Sequence, residues 1–580
     1  MPTSSDSACA SNANTLDTAA RAAMARWTGG LSPAAGLLAW TDWAAHLACA
    51  PGKQAELASL AFGQAAQLGR HLLPATATST PDAPATRDRR HADEGWRQWP
   101  YNLWSEGFLA ARQWWEQATQ GVPGVEPHHA QLAAFAARQW LDLLSPGNQI
   151  AGNPEVMRQT WQEGGANLLR GAAHAWEDAT RALANQPPAG AGAYIPGKQV
   201  AVTPGKVVWR NRLMELLQYS PATTTVRPEP VLIVPAWIMK YYILDLSPHN
   251  SLIAYLVSQG HTVFCISWKN PDAQDRELGM DDYLALGIRE ALDAIDAIVP
   301  GARVHAAGYC LGGTLLAIAA SAMARDGDAR LASLSLLAAQ TDFSEPGELA
   351  LFIDESQVSL LEAQMARTGY LTSRQMAGAF QMLRSYDLLW SRMVNEYLLG
   401  RRAPMSDLMA WNADATRMPA RMHGQYLRQL FLHNDLATNR YLVDGRPVML
   451  RDLRLPLFCV GTENDHVAPW RSVFKLHDLT QAPLDFVLTS GGHNAGIVSE
   501  PGHPRRRYRS LARPVGGATL TPDEWLQAAP AHEGSWWPAW TGWLAGLSGK
   551  PRKPPALGAP RRGYPVLADA PGAYVLEKEE

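Results

Sequence analysis

A cysteine in a glycine-rich hexapeptide is the residue of this sequence best suited to nucleophilic chemistry. Cys310 lies in Gly-Tyr-Cys-Leu-Gly-Gly, residues 308–313, directly after an apolar run that ends at Ala307 and directly before a stretch with helical spacing, residues 314–325. A strand, a sharp turn and a helix in this order form a nucleophile elbow, in which glycines permit the helix and the strand to approach closely. Free cysteine is often simply buried, so the hexapeptide alone leaves a structural role open.

Two further residues follow Cys310 in the chain order of nucleophile, acid and histidine that accompanies such an elbow. Asp465 comes just after the apolar run 457–460, and His493 lies in a glycine-flanked loop just after the next run, 486–488. Each residue alone could be an ordinary loop residue. Three suitable side chains at three strand ends, in the required order, favour a catalytic triad.

The roles within this triad follow from the chemistry of a thiol. Cysteine attacks as a thiolate, yet an unperturbed thiol has a pKa of about 8.5 and is largely protonated at neutral pH. His493 is therefore expected to accept the proton of Cys310, and Asp465 to fix the tautomer and orientation of the imidazole. Glu463 and His466 are the neighbouring alternatives to Asp465.

A developing oxyanion needs backbone donors close to the nucleophile. We expect the N–H of Leu311 to be one donor, because it follows the nucleophile at the start of a helix whose N-terminus also favours an anion. The second donor should come from the loop after Val234, and Trp237 is the positional choice.

A cysteine in place of the usual serine favours acyl transfer over hydrolysis. A thiol that attacks an acyl thioester exchanges one thioester for another, so the acyl group stays activated and can pass to an alcohol. The expected substrates are therefore of the acyl-CoA type. A cysteine hydrolase with the same triad, either a thioesterase or a polyester hydrolase, remains the alternative.

Short apolar runs that alternate with helical stretches predict the scaffold for these residues. They predict a mostly parallel sheet with helices on both faces, an α/β-hydrolase fold. The gap between the fourth and fifth runs predicts an inserted helical cap at about 342–452, over the strand ends where ligands bind in such sheets. The runs are residues 231–234, 262–266, 304–307, 334–337, 457–460 and 486–488.

The first part of the chain has a different pattern. Residues 1–195 show helical spacing and predict a helical N-terminal domain, while 196–580 form the catalytic domain. A Pro/Thr/Ala tract at 74–86 predicts a surface loop or linker. The part after Gly549, rich in proline and arginine, is expected to be irregular and to run along the surface.

Composition excludes several partners. The net charge of −3 without a basic arm argues against nucleic acid and anionic membranes. Neither a signal peptide nor an apolar run of about 18 residues is found. Cysteines at positions 9, 49, 265, 310 and 459 suggest no disulfide framework and no zinc pair, which favours a reducing, cytoplasmic setting. The 22 tryptophans either pack in the core or dock on an apolar surface.

The hexapeptide resembles the modified lipase box of polyhydroxyalkanoate synthases, and similar matches to that family extend along nearly the whole chain. They are Asp-Arg-Arg-His-Ala-Asp at 88–93, Ser-Pro-Gly-Asn at 145–148, Asn-Pro-Glu at 153–155, Lys-Tyr-Tyr-Ile-Leu-Asp-Leu at 240–246, Ser-Trp-Lys-Asn-Pro at 267–271, Trp-Asn-Ala-Asp-Ala-Thr at 411–416, Met-Pro at 418–419, Asp-His-Val-Ala-Pro-Trp at 465–470, Gly-His-Asn-Ala-Gly at 492–496 and Gly-Ser-Trp-Trp-Pro at 534–538.

This resemblance implies a triad of Cys310, Asp465 and His493 that polymerises (R)-3-hydroxyacyl-CoA into polyester and releases coenzyme A. It leaves open whether Asp465 orients His493 or activates the substrate hydroxyl. The length resembles the single-subunit class that uses short-chain units such as 3-hydroxybutyryl-CoA. The family also implies a homodimer on polymer granules, with no cofactor and no metal. A catalytically idle granule-coating protein is the alternative of another class.

Overall fold

A computed structural model describes residues 4–28, 30–70, 88–383 and 385–578, and its chain divides into two units. The first unit consists of Met1–Arg26, Gly190–Ala377 and Met405–Glu580, and the second of Trp27–Ala189 and Gly378–Pro404. The predicted linker at 74–86 lies outside the described residues. The predicted division of the chain at residue 195 stays a prediction.

Helices make up the first part of the chain, which confirms the predicted helical N-terminal region. Three of these helices begin at a proline whose preceding residue, Ser32, Glu126 or Asn153, accepts a hydrogen bond from a first-turn N–H. Proline suits this position because its missing N–H would have no helical partner. The helices are α1 Ser4–Trp27, α2 Pro33–Ala48, α3 Pro51–Arg70, α4 Tyr101–Thr119, α5 Pro127–Leu144, α6 Pro154–Gln162 and α7 Ala166–Leu183.

A small core and a returning segment hold the second unit together. The Trp43 indole is buried and donates a hydrogen bond to the Ala118 carbonyl over 2.7 Å. Helix α7 packs against the segment Gly378–Pro404, since Asn167 donates to the carbonyl of Leu398 over 2.8 Å. This segment belongs to the long insertion between two strands of the other unit.

The first unit is built on a mixed sheet, and the strands within the described residues are, in chain order, β1 Gly205–Arg210, β2 Met214–Tyr219, β3 Val231–Val234, β4 Val263–Trp268, β5 Val304–Tyr309, β6 Leu331–Leu337, β7 Tyr370–Leu371, β8 Met418–Pro419, β9 Leu442–Val443, β10 Arg446–Pro447, β11 Leu457–Thr462, β12 Leu484–Thr489, β13 Arg507–Arg513, β14 Ala531–Glu533 and β15 Ala568–Asp569. Among these described residues, eleven strands form one sheet in the order β14-β13-β12-β11-β6-β5-β3-β4-β2-β1-β15.

The centre of this sheet is parallel. Strands β4, β3, β5, β6, β11 and β12 pair side by side in parallel, and each overlaps one of the six predicted apolar runs. The outer strands β1, β2, β13, β14 and β15 pair antiparallel, and the sequence pattern did not predict them. The α/β-hydrolase fold is thereby confirmed, with the carboxyl ends of the parallel strands at one edge.

Helices of this part of the chain pack on the sheet and form the insertion. A π-helical turn, Tyr283–Arg289, joins α9 and α10. The helices are α8 Leu252–Ser258, α9 Met280–Asp282, α10 Glu290–Ile298, α11 Leu311–Asp326, α12 Glu355–Thr368, α13 Ser373–Leu383, α14 Asp407–Asn412, α15 Ala420–Gln425, α16 Trp470–Phe474, α17 Leu476–Leu479, α18 Pro522–Ala528 and α19 Trp537–Leu547.

The chain between β6 and β11 is the long insertion that the sequence predicts. It carries α12 to α15 and further π-helical turns, among them Tyr426–Leu432. Arg428 from this turn forms an ion pair with Glu362 of α12 over 2.7 Å, which ties two parts of the insertion together. Within the described ranges, no helix combines the length and the apolar composition that crossing a bilayer requires.

Candidate active site

Cys310 lies at the turn between β5 and α11, as the elbow pattern predicts. Its backbone has φ 52° and ψ −125°, a conformation that residues with a side chain rarely adopt. The turn is fixed from both sides, because the N–H of Cys310 donates to the Leu337 carbonyl over 2.9 Å and the Cys310 carbonyl accepts from the N–H of Gly313 over 2.9 Å. The strain is therefore held by the sheet and the helix together, and it presents the thiol at the strand ends.

Glycines on both sides of Cys310 are required by close backbone approach. A Cβ at Gly308 would lie 2.4 Å from the Cα of Gly313. A Cβ at Gly312 would lie 2.2 Å from the carbonyl oxygen of Val234 on β3. Neither neighbour can yield, because both contacts are with backbone atoms inside the sheet and the first helical turn.

Asp465 follows β11 and is saturated with hydrogen bonds. One carboxylate oxygen accepts the N–H groups of Val467 and Ala468, over 2.9 and 2.8 Å. The other accepts the hydroxyl of Thr462 and binds Nδ1 of His493, each over 2.8 Å. Burial alone would raise the pKa of this carboxyl, but the facing imidazole and these bonds hold its pKa below the usual value, so it carries a negative charge.

His493 hydrogen-bonds Asp465 through Nδ1 and lies close enough to Cys310 for the two side chains to interact electrostatically. Burial would lower the pKa of the imidazole, but the charges of Asp465 and Cys310 and the hydrogen bond to Asp465 raise it well above the usual value. The bond from Nδ1 to Asp465 leaves Nε2 for the thiol. The structure thus brings together the three residues that the sequence singled out.

The two alternatives to Asp465 lie elsewhere. Glu463 is paired with Arg507 over 2.9 Å, and His466 lies 3.6 Å from Glu348 with 45% of its side chain exposed. Neither bonds His493. Geometry therefore favours Asp465 as the acid of the site.

A tyrosine–asparagine contact beside the triad was not predicted. Tyr309, which precedes the nucleophile, donates its hydroxyl to the side-chain oxygen of Asn494 over 2.6 Å, and its ring centroid lies 5.6 Å from that of His493. The contact joins the elbow to the histidine loop. Both residues stand next to triad residues in the sequence, but nothing in the sequence indicates that their side chains meet.

The loop after β3 runs beside the elbow and carries the predicted second oxyanion donor. Within the described chain, the backbone N–H groups of Leu311 and Trp237 have no hydrogen-bond acceptor, which leaves both available to a ligand. The Trp237 side chain is buried, with 1% of the residue exposed, and packs 5.2 Å from the Tyr283 ring. Both predicted donors therefore meet the basic requirement of a free N–H group.

The insertion contributes a buried tyrosine, Tyr426, to the surroundings of the nucleophile. Tyr426 is buried, and its ring lies 6.4 Å from those of Trp237 and Phe343. Burial above all, and the nearby charge of Cys310, raise the pKa of the Tyr426 hydroxyl well above its usual value. Cys310 is itself buried, with 9% of the residue exposed, so its electrostatic interactions are stronger than they would be in water.

Two tryptophans hold the chain that follows His493, and they show the first of the two predicted uses of this residue type, packing in the core. Trp536 and Trp537 are buried and donate their indole N–H groups to the carbonyls of Gly496 and Ile497, over 3.0 and 2.9 Å. This pair is therefore part of the core, and it fixes the chain that directly follows His493.

A thiol, an imidazole and a carboxylate in this arrangement can carry an acyl group as a thioester. The carboxylate holds the imidazole in one tautomer, the imidazole exchanges a proton with sulfur, and two free N–H groups can bind an oxyanion. Among the described residues, no group of three or more His, Cys, Asp or Glu side chains is placed to hold a metal ion.

Comparisons with known proteins agree along the chain. Residues 87–256 match the family described as "Poly-beta-hydroxybutyrate polymerase (PhaC) N-terminus", 11–53 match "Poly-beta-hydroxybutyrate polymerase N terminal", and 229–500 match "alpha/beta hydrolase fold". A "Poly(3-hydroxyalkanoate) polymerase" of Methylorubrum extorquens is 43% identical over 85% of this chain and 82% of its own length. A "Poly(3-hydroxyalkanoate) polymerase subunit PhaC" of Cupriavidus necator is 37% identical over 85% of this chain and 83% of its own.

The chain is also similar, at low sequence identity, to a solved lipase structure. The monoacylglycerol lipase of Paleococcus ferrophilus is 12% identical, covers 58% of this chain and 99% of its own, and has a TM-score of 0.34.

Proposed function

Because this chain belongs to the family of poly(3-hydroxyalkanoate) polymerases, enzymes of the acyltransferase type, we propose that it joins (R)-3-hydroxyacyl units from coenzyme A thioesters into polyester. The expected units are short, such as 3-hydroxybutyryl, in keeping with the "Poly-beta-hydroxybutyrate" description of the matching families. The observation that carries the proposal is the hydrogen bond of Asp465 with His493, together with the turn at the end of β5 that presents Cys310 with φ 52°.

The first step loads the enzyme. His493 takes the proton of the Cys310 thiol, and the thiolate attacks the carbonyl carbon of the acyl-CoA. A bond from sulfur to that carbon forms, and the bond from the carbon to the sulfur of coenzyme A breaks. The leaving thiolate takes the proton from His493, so coenzyme A departs as a thiol. The N–H groups of Leu311 and Trp237 bind the oxyanion between these events.

The second step lengthens the chain. The hydroxyl of one hydroxyacyl unit attacks the thioester carbon of another, a carbon–oxygen bond forms, and the bond to the Cys310 sulfur breaks. The hydroxyl proton passes to His493 and then to the sulfur, which restores the thiol. Asp465 keeps His493 oriented in both steps, and the second step also allows it to activate the hydroxyl. No oxidant, metal or other cofactor enters this balance.

Assembly and location follow from the family and stay part of the proposal. We expect a homodimer that works at the surface of its own polyester in the cytoplasm. The growing chain would be both product and partner.

The experiment that tests the function compares wild type, Cys310→Ala and the control Cys49→Ala with 3-hydroxybutyryl-CoA. Cys49 is exposed and is not part of the elbow, so its loss should change little. We expect coenzyme A release and insoluble, weighable polyester from wild type and Cys49→Ala only. Soluble hydroxy acid in place of polyester would identify a thioesterase instead, and activity of Cys310→Ala would exclude the proposed nucleophile.

A further inference from the structure

The loop after β3, residues 235–240, is clamped on one side by the insertion. The Trp237 carbonyl accepts the hydroxyl of Thr416 over 2.6 Å, and the next carbonyl accepts the N–H of the same threonine over 3.2 Å. The indole of Trp411 donates to the Lys240 carbonyl over 2.7 Å. These bonds fix the carbonyl groups of the loop, and they leave the N–H of Trp237 free.

The last residue of the loop, Lys240, carries a buried ammonium group that holds this end of the loop. Lys240 is 3% exposed, and its ammonium donates to the main-chain carbonyls of Tyr574 and Glu577, over 3.2 and 2.6 Å. Burial lowers the pKa of Lys240, and the carboxylates of Asp414 and Glu577 oppose that effect. A buried ammonium depends strongly on its hydrogen-bond acceptors, since water cannot replace them.

The acceptors belong to a short segment, 572–577, that is held at two more points. Its N–H groups at Ala573 and Tyr574 donate to the carboxylate of Glu215 on β2, over 2.9 and 3.0 Å, and the Glu215 side chain is fully buried. The Glu577 carboxylate accepts the N–H of Asn270 over 2.9 Å. Segment 572–577 thus provides hydrogen-bond partners for a buried anion, Glu215, and for a buried cation, Lys240.

We infer that segment 572–577, here called the strap, holds the loop 235–240 in place, and that Lys240 is the positioning residue through which the strap acts. Lys240 stands three residues after Trp237, so displacement of its backbone is passed to the Trp237 N–H, the proposed oxyanion donor. The inference rests on the proposed function, because it assumes that the Trp237 N–H binds an oxyanion. Neither Lys240 nor the strap touches the reacting atoms.

The expected effect is on turnover rather than on substrate binding. Loss of a whole oxyanion donor lowers kcat by about 10²–10³, and a shift of about 1 Å can cost about 10². Lys240→Met keeps the length of the side chain and removes the charge together with both bonds to the strap. We expect kcat per titrated Cys310 thiol to fall by about tenfold to a hundredfold, with KM changed less than about threefold. The active Cys310 is counted from the stoichiometric burst of coenzyme A on loading, which unfolded protein does not release.

Two comparisons separate positioning from stability. Lys198→Met, at an exposed lysine, is the matched control and should keep wild-type kcat. Deletion of residues 573–580 should match the loss in Lys240→Met, and the two changes combined should lose no more than either alone, because they break the same link. If the deletion does not fold, Lys240→Met and its control decide alone.

Hydrogen exchange of the amides at 236–239 gives a readout that does not depend on activity. We expect exchange at least about tenfold faster in Lys240→Met than in wild type, and no change in Lys198→Met. Unchanged kcat would overturn the inference, whether or not exchange rises, since the loop would then be held for stability alone. If wild type releases no coenzyme A, the proposed function fails, and the exchange rates alone then support or overturn the strap.

Discussion

Asp465→Asn isolates the charge of the triad from its shape. The asparagine oxygen can still accept the N–H groups that bind Asp465, those of Val467 and Ala468. Its NH₂ group then meets the Thr462 hydroxyl and Nδ1 of His493, both of which the wild-type carboxylate accepts as donors. A donor facing Nδ1 favours the tautomer with the proton on Nε2, which cannot take a proton from the thiol.

The size of the loss follows from these contacts. One charge-assisted hydrogen bond contributes about 1.5–3 kcal/mol, or roughly tenfold to a hundredfold in rate. The wrong tautomer adds to this, since the equivalent change in a serine protease triad lowers kcat by about 10⁴. We therefore expect kcat of Asp465→Asn to fall by about 10² to 10⁴.

The pH dependence gives the second signature. The charge of Asp465 helps to raise the pKa of His493, so its removal lowers that pKa. The imidazolium that protonates the departing coenzyme A is lost as the pH rises through the His493 pKa. The alkaline limb of kcat should therefore move to lower pH in Asp465→Asn.

The assay is the initial rate of coenzyme A release, followed with a chromogenic thiol reagent across the pH range. Glu463→Gln is the matched control, because it removes a carboxylate two residues away that pairs with Arg507 instead of His493. We expect the control to keep kcat within about twofold. A loss in Glu463→Gln that equals or exceeds the loss in Asp465→Asn would refute the assignment of the acid.

Two further predictions concern stability. Gly312→Ala would place a Cβ 2.2 Å from the Val234 carbonyl oxygen, so urea titration should show a free energy of unfolding that is lower by about 3 kcal/mol or more. In the control Gly542→Ala, on the open face of α19, the free energy of unfolding should rise by about 0.5–1 kcal/mol. Burial raises the pKa of Asp245 to about 6, above its unfolded-state value of about 3.9. Between these values the folded state binds more protons than the unfolded state, so the free energy of unfolding of the wild type should fall by about 2–3 kcal/mol as the pH rises from about 4 to 6. Asp245→Asn should not show this loss, and equal pH profiles of the two proteins would contradict the prediction.

The parallel centre of the sheet could be predicted because its strands are locally readable. Each is a short apolar run bounded by turn residues, and β3 and β11 are buried along their whole length. The positions of the three proposed triad residues could be predicted for the same reason, since each stands just past one of these runs. Neither the strands nor the triad required knowledge of a distant contact.

The antiparallel edge could not be predicted because its polar residues have distant partners. Strand β2 is buried throughout although it contains Glu215 and Gln218. Glu215 accepts N–H groups more than 350 residues away, and Gln218 donates to the Ala556 carbonyl. In the sequence these residues interrupt the apolar pattern, and only the fold supplies the groups that make their burial tolerable.

The placement of Gly378–Pro404, the middle of the insertion, in the second unit could not be predicted for a similar reason. Helical spacing marks it as helical, but its place in the second unit depends on contacts with α7. A Cβ at Gly171 of that helix would lie 1.8 Å from the Tyr397 carbonyl, so only glycine allows this approach. A contact between residues more than 200 positions apart is not indicated by the sequence around either residue.

The two edge strands of the large sheet affect whether copies of this protein aggregate at high concentration. An open strand edge is a template for pairing with another chain, and wide sheets carry that risk at both sides. Here the edge strands are β14, which has three residues, and β15, which has two and where Asp569 forms an ion pair with Lys206. So short a run of free backbone groups cannot seed a stack of sheets. Many copies could therefore be held close together without aggregating edge to edge.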